Sequence, residues 1–479
     1  MPSQLDIFFA PKSVAVIGAS RTPGKMGYMI IENLKMTFQG KIYPINPNTN
    51  EMFGMASFPS VLGIEEPIDL AIIAVKAEVV PTALEECVKK KIKGAIIVSS
   101  GFAEAGNIAL ENIVKKYSEK ILILGPNCLG TVAGGRFNSL ALSKERFKLP
   151  PDGYISFICQ SGSVGSTLLD RLAMEGVGIS KFISYGNAAG LDETDLLDFL
   201  GKDPATRAIV IYIESIKDGK RFVDAAKRIT PTKPIIILKA GRTADGAGAV
   251  MGHIGAAAGQ GEVFSAAFRQ AGCVEVRSLE DIFDYAKVLA TQPPLKSNKL
   301  AIVSNGGGFA VLSTDAATIS GFLLPQFGKD IEGKLRKVLP AHVSVKNPLD
   351  LTGDANSERF RTAIEIAMKD KEIAGAVFIP LLQTTALDDT IVNVLQDAKI
   401  FGKPFVVCAL GSDYTFKTSR KLEAIGIPVY PTPERAIKAL SALWTYKKEK
   451  ALVKAEVAAE KKVEHVKKNA AGKAKKRKR

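Results

Sequence analysis

Histidine is scarce in this sequence: His253, His342 and His465 are the three among 479 residues. Cysteine is nearly as scarce, with Cys87, Cys128, Cys159, Cys273 and Cys408 far apart and no CxxC pair. A zinc site needs clustered ligands and a disulfide scaffold needs paired thiols, so neither is expected, and no metal site is assigned. Scattered, odd-numbered cysteines read as reduced thiols in the cytoplasm. No run of 18 uncharged apolar residues occurs, which excludes a spanning helix. Met1-Pro2-Ser3-Gln4-Leu5-Asp6 lacks a basic start ahead of an apolar stretch, so no signal peptide is expected.

What remains is the composition of a globular protein: 46% apolar, 24% charged, 42 Gly and 24 Pro. Disordered and collagen-like chains are excluded by it. At 100–200 residues per domain, the length suggests about three domains. The formal charge of +15 invites a nucleic-acid reading, but it is unevenly spread. Lys447–Arg479 holds 14 Lys/Arg against 4 Asp/Glu, a net of +10, so the other 446 residues carry only +5. That tail reads as a solvated appendage with some helical character in its middle, or as a weak contact with RNA, anionic lipid or an acidic partner.

Short apolar runs alternate with helix-like stretches three times over. Val14–Ile17, Lys41–Ile45, Asp69–Val75, Gly94–Ser99 and Ile121–Leu124 are the strands of the first unit. After a Pro-rich linker the second has Tyr154–Cys159, Ile179–Ser184, Ala208–Ile213 and Pro234–Lys239. A second linker follows at Gln292–Asn298. The third unit has strands at Lys299–Ser304, near Ala374–Pro380 and at Pro404–Leu410, with a last helix around Pro433–Tyr446. Strands separated by helices predict parallel sheets with helices on both faces. The fold class is therefore α/β, in three consecutive parallel-sheet units.

Val14-Ala15-Val16-Ile17-Gly18-Ala19-Ser20-Arg21-Thr22-Pro23-Gly24-Lys25-Met26-Gly27 is a strand, a glycine turn and a helix start, which offers N–H groups to phosphates. Ser20 and Pro23 stand where a dinucleotide fingerprint has glycines. The second strand ends Ile45-Asn46-Pro47-Asn48 without the acid that binds a ribose hydroxyl, and Lys41 precedes it. A phosphorylated ribose or coenzyme A suits this loop better than NAD, and a turn that only packs helix on strand is the alternative. Gly125-Pro126-Asn127-Cys128-Leu129-Gly130 closes the unit. Asn127 could bond a ligand or its own turn, and Cys128 reads as a buried thiol rather than a nucleophile.

Ala240–Gly261 contains seven glycines in 22 residues, with His253 among them. A histidine on a small-residue loop suggests something carried or moved, against a plain loop histidine. Gln160-Ser161-Gly162-Ser163-Val164-Gly165 opens a helix after a strand. Ser161 and Ser163 could hold one phosphate-sized anion at the helix N-terminus or simply cap it. Tyr212-Ile213-Glu214-Ser215 puts a carboxylate at a strand end in the same unit. Glu214 could accept the Nδ1 hydrogen of His253 and leave Nε2 as a nucleophile. Together these suggest a phosphohistidine. In the third unit Ser304-Asn305-Gly306-Gly307-Gly308-Phe309 could bind an anion by its shape, with packing or a subunit interface as the favoured role. His342 reads as structural or surface, and His465 belongs to the tail.

The segments VAVIGASRTPGKMG (14–27), YPINPN (43–48), GPNCLG (125–130), QSGSVG (160–165), GHIGAAAG (252–259) and NPLDLTGD (347–354), in that order, resemble the alpha subunits of ADP-forming acetyl-CoA synthetases. These are NDP-forming acyl-CoA synthetases related to succinyl-CoA synthetase, and the resemblance covers about residues 1–446. It implies a Rossmann-like CoA-binding domain at 1–147, a CoA-ligase domain with a phosphohistidine loop at 154–292, and a second domain at 299–446. The last two are flavodoxin-like, and 447–479 is the basic tail. It also implies that His253 is the phosphorylated histidine, that Glu214 orients it, and that Ser161, Gly162 and Ser163 hold the phosphate. Gly18, Ser20, Gly27, Lys41, Asn46, Val75, Lys76 and Asn127 fall in the implied coenzyme A pocket.

The implied reaction interconverts acyl-CoA, phosphate and ADP with free acid, coenzyme A and ATP. Mg2+ and the nucleotide would sit on an ATP-grasp beta subunit in an α2β2 assembly, and the substrate would be a small carboxylic acid. Ile254 stands where the family more usually has Thr or another residue after the histidine, which leaves the acyl group open. The same chemistry on aryl, branched-chain or dicarboxylic acids is one alternative, and a non-catalytic CoA-binding regulatory protein another.

Overall fold

The computed structural model describes the backbone of residues 3–254 and 260–476, and the side chains of 3–251 and 260–459. Three mainly parallel sheets follow one another, each built from near-continuous apolar strands buried on both faces, as sheets covered by helices require.

The first sheet contains β1 (Ser13–Ile17), β2 (Lys41–Ile45), β5 (Leu70–Ile73), β6 (Gly94–Ile97) and β7 (Leu122–Leu124) in the order β2-β1-β5-β6-β7. A two-residue hairpin, β3 (Glu51–Met52) and β4 (Met55–Ala56), lies beside it. The chain leaves β1 toward one edge and returns from β2 to the other side, so the loops after β1 and β5 diverge. That switch point opens a crevice at the carboxyl ends of the strands.

The second sheet has the order β14-β13-β12-β10-β11-β8-β9. β10 (Asp152–Cys159), β11 (Ile179–Ser184), β12 (Ala208–Ile213), β13 (Ile235–Lys239) and β14 (Val274–Val276) are parallel. β8 (Gly130–Ala133) and β9 (Phe137–Asn138) were not expected. They follow the first unit in the chain, yet β8 pairs antiparallel with β11, Phe182 opposite Val132. The switch point here lies between β10 and β12. The third sheet repeats the order of the first: β16 (Leu349–Asp350), β15 (Leu300–Ser304), β17 (Gly375–Ile379), β18 (Phe405–Cys408) and β19 (Val429–Tyr430).

The units share their cores. Ile30 and Leu34 of the first unit belong to one apolar cluster with Ile158, Leu196 and Phe222 of the second. Leu168 and Phe283 of the second join Leu300, Tyr430 and Leu443 of the third. The helix Leu279–Thr291 sits at this second joint with nine of its 13 residues buried. The last helix does not stop at Tyr446, where the sequence suggested. It runs from Pro433 to Lys476. Tyr446 donates to the Thr230 carbonyl at 2.7 Å, Val453 is buried, and Glu456 pairs with Lys227 at 2.9 Å. The first turns beyond Lys447 are thus docked on the second unit.

Candidate active site at the joint of the first two units

Gly18 follows β1 with φ +89°, a conformation that side chains rarely adopt. A β carbon there would lie 2.4 Å from the Ala74 carbonyl oxygen, and one at Gly27 would lie 2.1 Å from that of Gly18. Both glycines are needed for the turn to close on its neighbours. Asn46 pins the turn: its Nδ2 donates to the Ala19 carbonyl at 2.7 Å, while its Oδ1 accepts from the Asn48 amide at 2.8 Å. Ser20 Oγ accepts from the Thr22 amide at 3.0 Å. The helix Met26–Thr37 then begins with no side-chain cap, so its first N–H groups have no side-chain acceptor. Across the switch point, Ser99 Oγ donates to the Val75 carbonyl at 2.6 Å and fixes the loop in which Lys76 is exposed.

Lys41 is placed apart from these residues. It starts β2 in register with Ser13, at the opposite end of the strands from Gly18. Four residues at ~3.3 Å each separate it from Ile45 by about 13 Å. Its ammonium pairs with Glu66 at 3.1 Å, both side chains being more than half exposed. Only an extended ligand could touch both Lys41 and the glycine turn.

Asn127 has φ +57° after a cis Gly125–Pro126 bond. It borders a cavity of about 250 Å3 between the first two units, together with Met26, Gln160, Ser161, Gly162, Ser163 and Asn187. Four residues picked from sequence, Asn127, Ser161, Gly162 and Ser163, therefore meet around one space. Ser161 is the N-cap of the helix Gly162–Glu175, its Oγ accepting from the Val164 amide at 3.4 Å and standing 3.1 Å from Ser163 Oγ. Cys128 also lines the cavity, but it is buried and burial pushes its thiol up to about 12. The thiolate a nucleophile needs is absent at neutral pH.

Glu214 stands at the carboxyl end of β12 and is buried. Gln160 Oε1 accepts from the Glu214 amide at 2.8 Å and the Ser215 amide at 3.2 Å, which ties the two sides of the second switch point together. Tyr212 OH donates to Glu214 Oε1 at 3.4 Å. Burial and the Glu214 charge both push the Tyr212 phenol well up. Lys239 ends the neighbouring strand, in register with Ile213.

The segment read from its glycines as a loop contains a helix, Ala244–Ile254, so His253 sits near a helix C-terminus. Alanines outnumber glycines in its first turns, and Thr243 Oγ1 accepts from the Gly246 amide at 3.1 Å. The His253 side chain, and residues 255–259 altogether, lie outside the described residues. Both ends of the segment are anchored at one place. Arg242 bonds Glu275 and, at 2.9 Å, Ser265 Oγ. A β carbon on Gly261 would be 2.7 Å from the Arg242 carbonyl oxygen.

Three family models match in the order of the sheets: CoA binding domain at 12–133, Succinyl-CoA ligase like flavodoxin domain at 152–289, and Ligase-CoA domain at 300–454. The chain is 39% identical over 463 residues to the Acetate--CoA ligase [ADP-forming] I subunit alpha of Pyrococcus furiosus, covering 93% of this chain and 98% of that one. It belongs to the ADP-forming acetate–CoA ligase family.

Another member, Acetate--CoA ligase [ADP-forming] of Methanocaldococcus jannaschii, is 41% identical over 443 residues, and the chain spans 62% of its length. A solved structure of the dinucleotide-forming acetyl-coenzyme A synthetase 1 of Ca. Korarchaeum cryptofilum, in complex with phosphate and ADP, superimposes with a TM-score of 0.87. It is 35% identical and covers 94% of this chain. Family membership accounts for the three-sheet series, in which the last helix lies partly inside the third matched region.

Within this family framework the sequence reading passed over Asn187, Gln160 as a tie across the switch point, and Lys239. Tyr185-Gly186-Asn187-Ala188-Ala189-Gly190, a glycine turn at a strand end, was the available signal for Asn187. Asn305 repeats the Gln160 tie in the third unit, its Oδ1 accepting from the Leu381 amide at 2.6 Å. His342 is exposed, 3.6 Å from Asp354. Among the described residues no group of three His, Cys, Asp or Glu is arranged to hold a metal, and no helix is long and apolar enough to cross a membrane.

Proposed function

We propose that this chain is the alpha subunit of an ADP-forming acyl-CoA synthetase acting on a small carboxylic acid, with acetate the first candidate. It would interconvert acyl-CoA, phosphate and ADP with free acid, coenzyme A and ATP. The observation that carries the reading is the cavity of about 250 Å3 that joins Asn127 to the tip of helix 162–175, beside a switch point that holds Glu214.

The residues present fit the substrates. Coenzyme A is assigned to Gly18, Ser20, Gly27, Asn46, Val75, Lys76 and Asn127, around a turn whose closure on the loop after β5 and on the helix start needs glycine at 18 and 27. An extended molecule laid along β2 would bring a phosphate within reach of Lys41. Its thioester end would enter the cavity. Phosphate at Ser161, Gly162 and Ser163 gains the helix N-terminus and two hydroxyls. Its oxygen attacks the thioester carbonyl, the C–S bond breaks, and the coenzyme A thiolate leaves with acyl phosphate formed. A His253 ring nitrogen then attacks phosphorus and the carboxylate departs. Glu214 accepts the other ring N–H and steadies the charge that develops on the imidazole. ADP, with Mg2+, belongs to an ATP-grasp beta subunit, so the segment rooted at Arg242 and Gly261 would carry the phosphoryl group to it. An α2β2 assembly is the simplest arrangement.

The test is reconstitution with the ATP-grasp subunit, following free thiol released from acetyl-CoA in the presence of phosphate and ADP. Release that needs both, and is lost in His253→Ala, is the expected result. No release from a partner that binds ADP, with acetyl-, aryl-, branched- and dicarboxyl-CoA all tried, would overturn the proposal in favour of a non-catalytic CoA-binding protein.

A further inference from the structure

A second cavity, of about 210 Å3, lies where the second unit meets the third. Residues just beyond β18 and β19 line it, at the end of a parallel sheet where ligands of α/β folds lie. The last turn of the helix Gly162–Glu175 forms another wall. That helix has 14 residues, which at ~1.5 Å each put its last turn about 20 Å from the Ser161 tip. The two cavities are therefore separate.

Four cations line the space, and three of them are answered. Lys287 pairs with Glu423 at 2.9 Å, Arg171 with Glu175 at 2.9 Å, and Arg435 with Glu280 at 2.8 Å and Asp284 at 2.7 Å. Among the described residues Arg420 has no carboxylate partner. Its Nε lies 3.4 Å from where a β carbon on Gly176 would stand, so the guanidinium reaches across the joint. Thr415 also lines the cavity. It is 5% exposed, and its hydroxyl donates to no described group. A buried hydroxyl left in that state is costly unless water or a ligand meets it. Both residues belong to the helix Asp413–Ala424, which starts beside the cavity with no side-chain cap on its first N–H groups. Asp413, in its first turn, is exposed and is not part of the lining.

We propose that this cavity binds a small organic acid with an apolar chain or ring, its carboxylate taken by the Thr415 hydroxyl, the N-terminus of helix 413–424 and Arg420. Met174, Leu410 and Phe416, each roughly half exposed, give the same space an apolar wall. A bare phosphate would leave that wall against water. The volume falls below the roughly 300–1,000 Å3 of drug-sized pockets, which excludes a nucleotide or coenzyme A. Two units contribute to the lining, so the bound acid bridges their joint. The site does not depend on the phosphohistidine reading.

The experiment is isothermal titration of the full chain with benzoate and with isovalerate, and with benzamide as the neutral counterpart. Wild type, Arg420→Gln, Thr415→Val and Ser163→Ala are compared, with circular dichroism to check folding. Saturable binding of at least one acid and none of benzamide is expected. Affinity should fall roughly tenfold in Arg420→Gln, which loses a charged donor, and about fivefold in Thr415→Val. Ser163→Ala, at the first cavity, should bind as wild type does. The Arg420 comparison stands even if Thr415→Val fails to fold, because Arg420 is exposed. No binding of either acid, equal binding of benzamide, or wild-type affinity in Arg420→Gln would overturn the inference. Binding lost in Ser163→Ala but kept in Arg420→Gln would overturn it too, by placing the acid in the first cavity.

Discussion

Asn127 and Asn187 meet across the joint of the first two units, Asn127 Nδ2 donating to Asn187 Oδ1 at 3.3 Å. The Asn187 amide in turn donates to Glu104 at 2.5 Å and Glu111 at 2.8 Å. Glu104 Oε1 accepts from the Gly101 amide at 2.6 Å, so the bridge reaches back into the loop after β6. One amide side chain thus holds the residue that borders the cavity and two carboxylates of the first unit.

Asn187→Asp replaces the donor with a third carboxylate against Glu104 and Glu111. The expected cost is about 1–3 kcal/mol for leaving two half-buried carboxylates without their donor. The Michaelis constant for coenzyme A should rise, because repulsion from Glu104 and Glu111 displaces the oxygen that Asn127 bonds. Urea unfolding and steady-state kinetics check both, and an unchanged constant in a destabilised variant would separate the bridge from ligand binding.

Lys287, wholly buried between the second and third units, bonds Glu423 at 2.9 Å, Glu175 at 3.4 Å and the Val429 carbonyl at 2.8 Å. Burial pulls its ammonium down, but Glu423 and Glu175 outweigh that and hold it above its usual range. Lys287→Met leaves Glu423 without a cation and Glu175 with Arg171 alone, and should destabilise by roughly 3–5 kcal/mol in chemical denaturation.

Glu175 sets an acid limit on stability, which Glu423, its carboxyl raised by burial, partly offsets. Burial raises the Glu175 carboxyl, yet Lys287 and Arg171 together bring it below the ordinary range. A depressed carboxyl contributes stability above its unfolded value, and that contribution fades as pH falls through the folded one. Wild type should lose stability as the pH drops below the ordinary carboxylate value of 4.5. Lys287→Met should lose less over the same window, read by urea midpoints.

Gly261→Ala forces a β carbon to within 2.7 Å of the Arg242 carbonyl oxygen, where the His253 segment leaves and returns. If that segment carries the phosphoryl group, turnover should fall while acyl-CoA binding is kept. Isothermal titration beside turnover measurements distinguishes this from a general loss of fold.

Local pattern made most of the sheets legible. Ile179–Ser184 and Ala208–Ile213 were read to the residue because buried parallel strands are continuous apolar runs between turns. β8 escaped because it pairs with a strand some 50 residues away, which periodicity cannot report, and β9 is a two-residue strand paired with β8. The 244–254 helix escaped because its glycines outweighed its alanines in a local reading. At the site, Asn127 and Ser161 were each picked out by turn chemistry at a strand end, but their meeting was not, because it depends on how the first two units pack. Nor was Lys239, since a lysine ending a strand looks the same in sequence whether it is buried or exposed.

In the proposed cycle His253 carries the phosphoryl group. The direct measurement is peptide mapping of the chain after incubation with its ATP-grasp partner and γ-labelled ATP, with His253→Ala alongside. Acid-labile, base-stable label on the peptide containing His253, absent from the variant and discharged by acetate plus coenzyme A, is the predicted result. Label on another residue, or an unlabelled wild-type chain beside a competent partner, would contradict it.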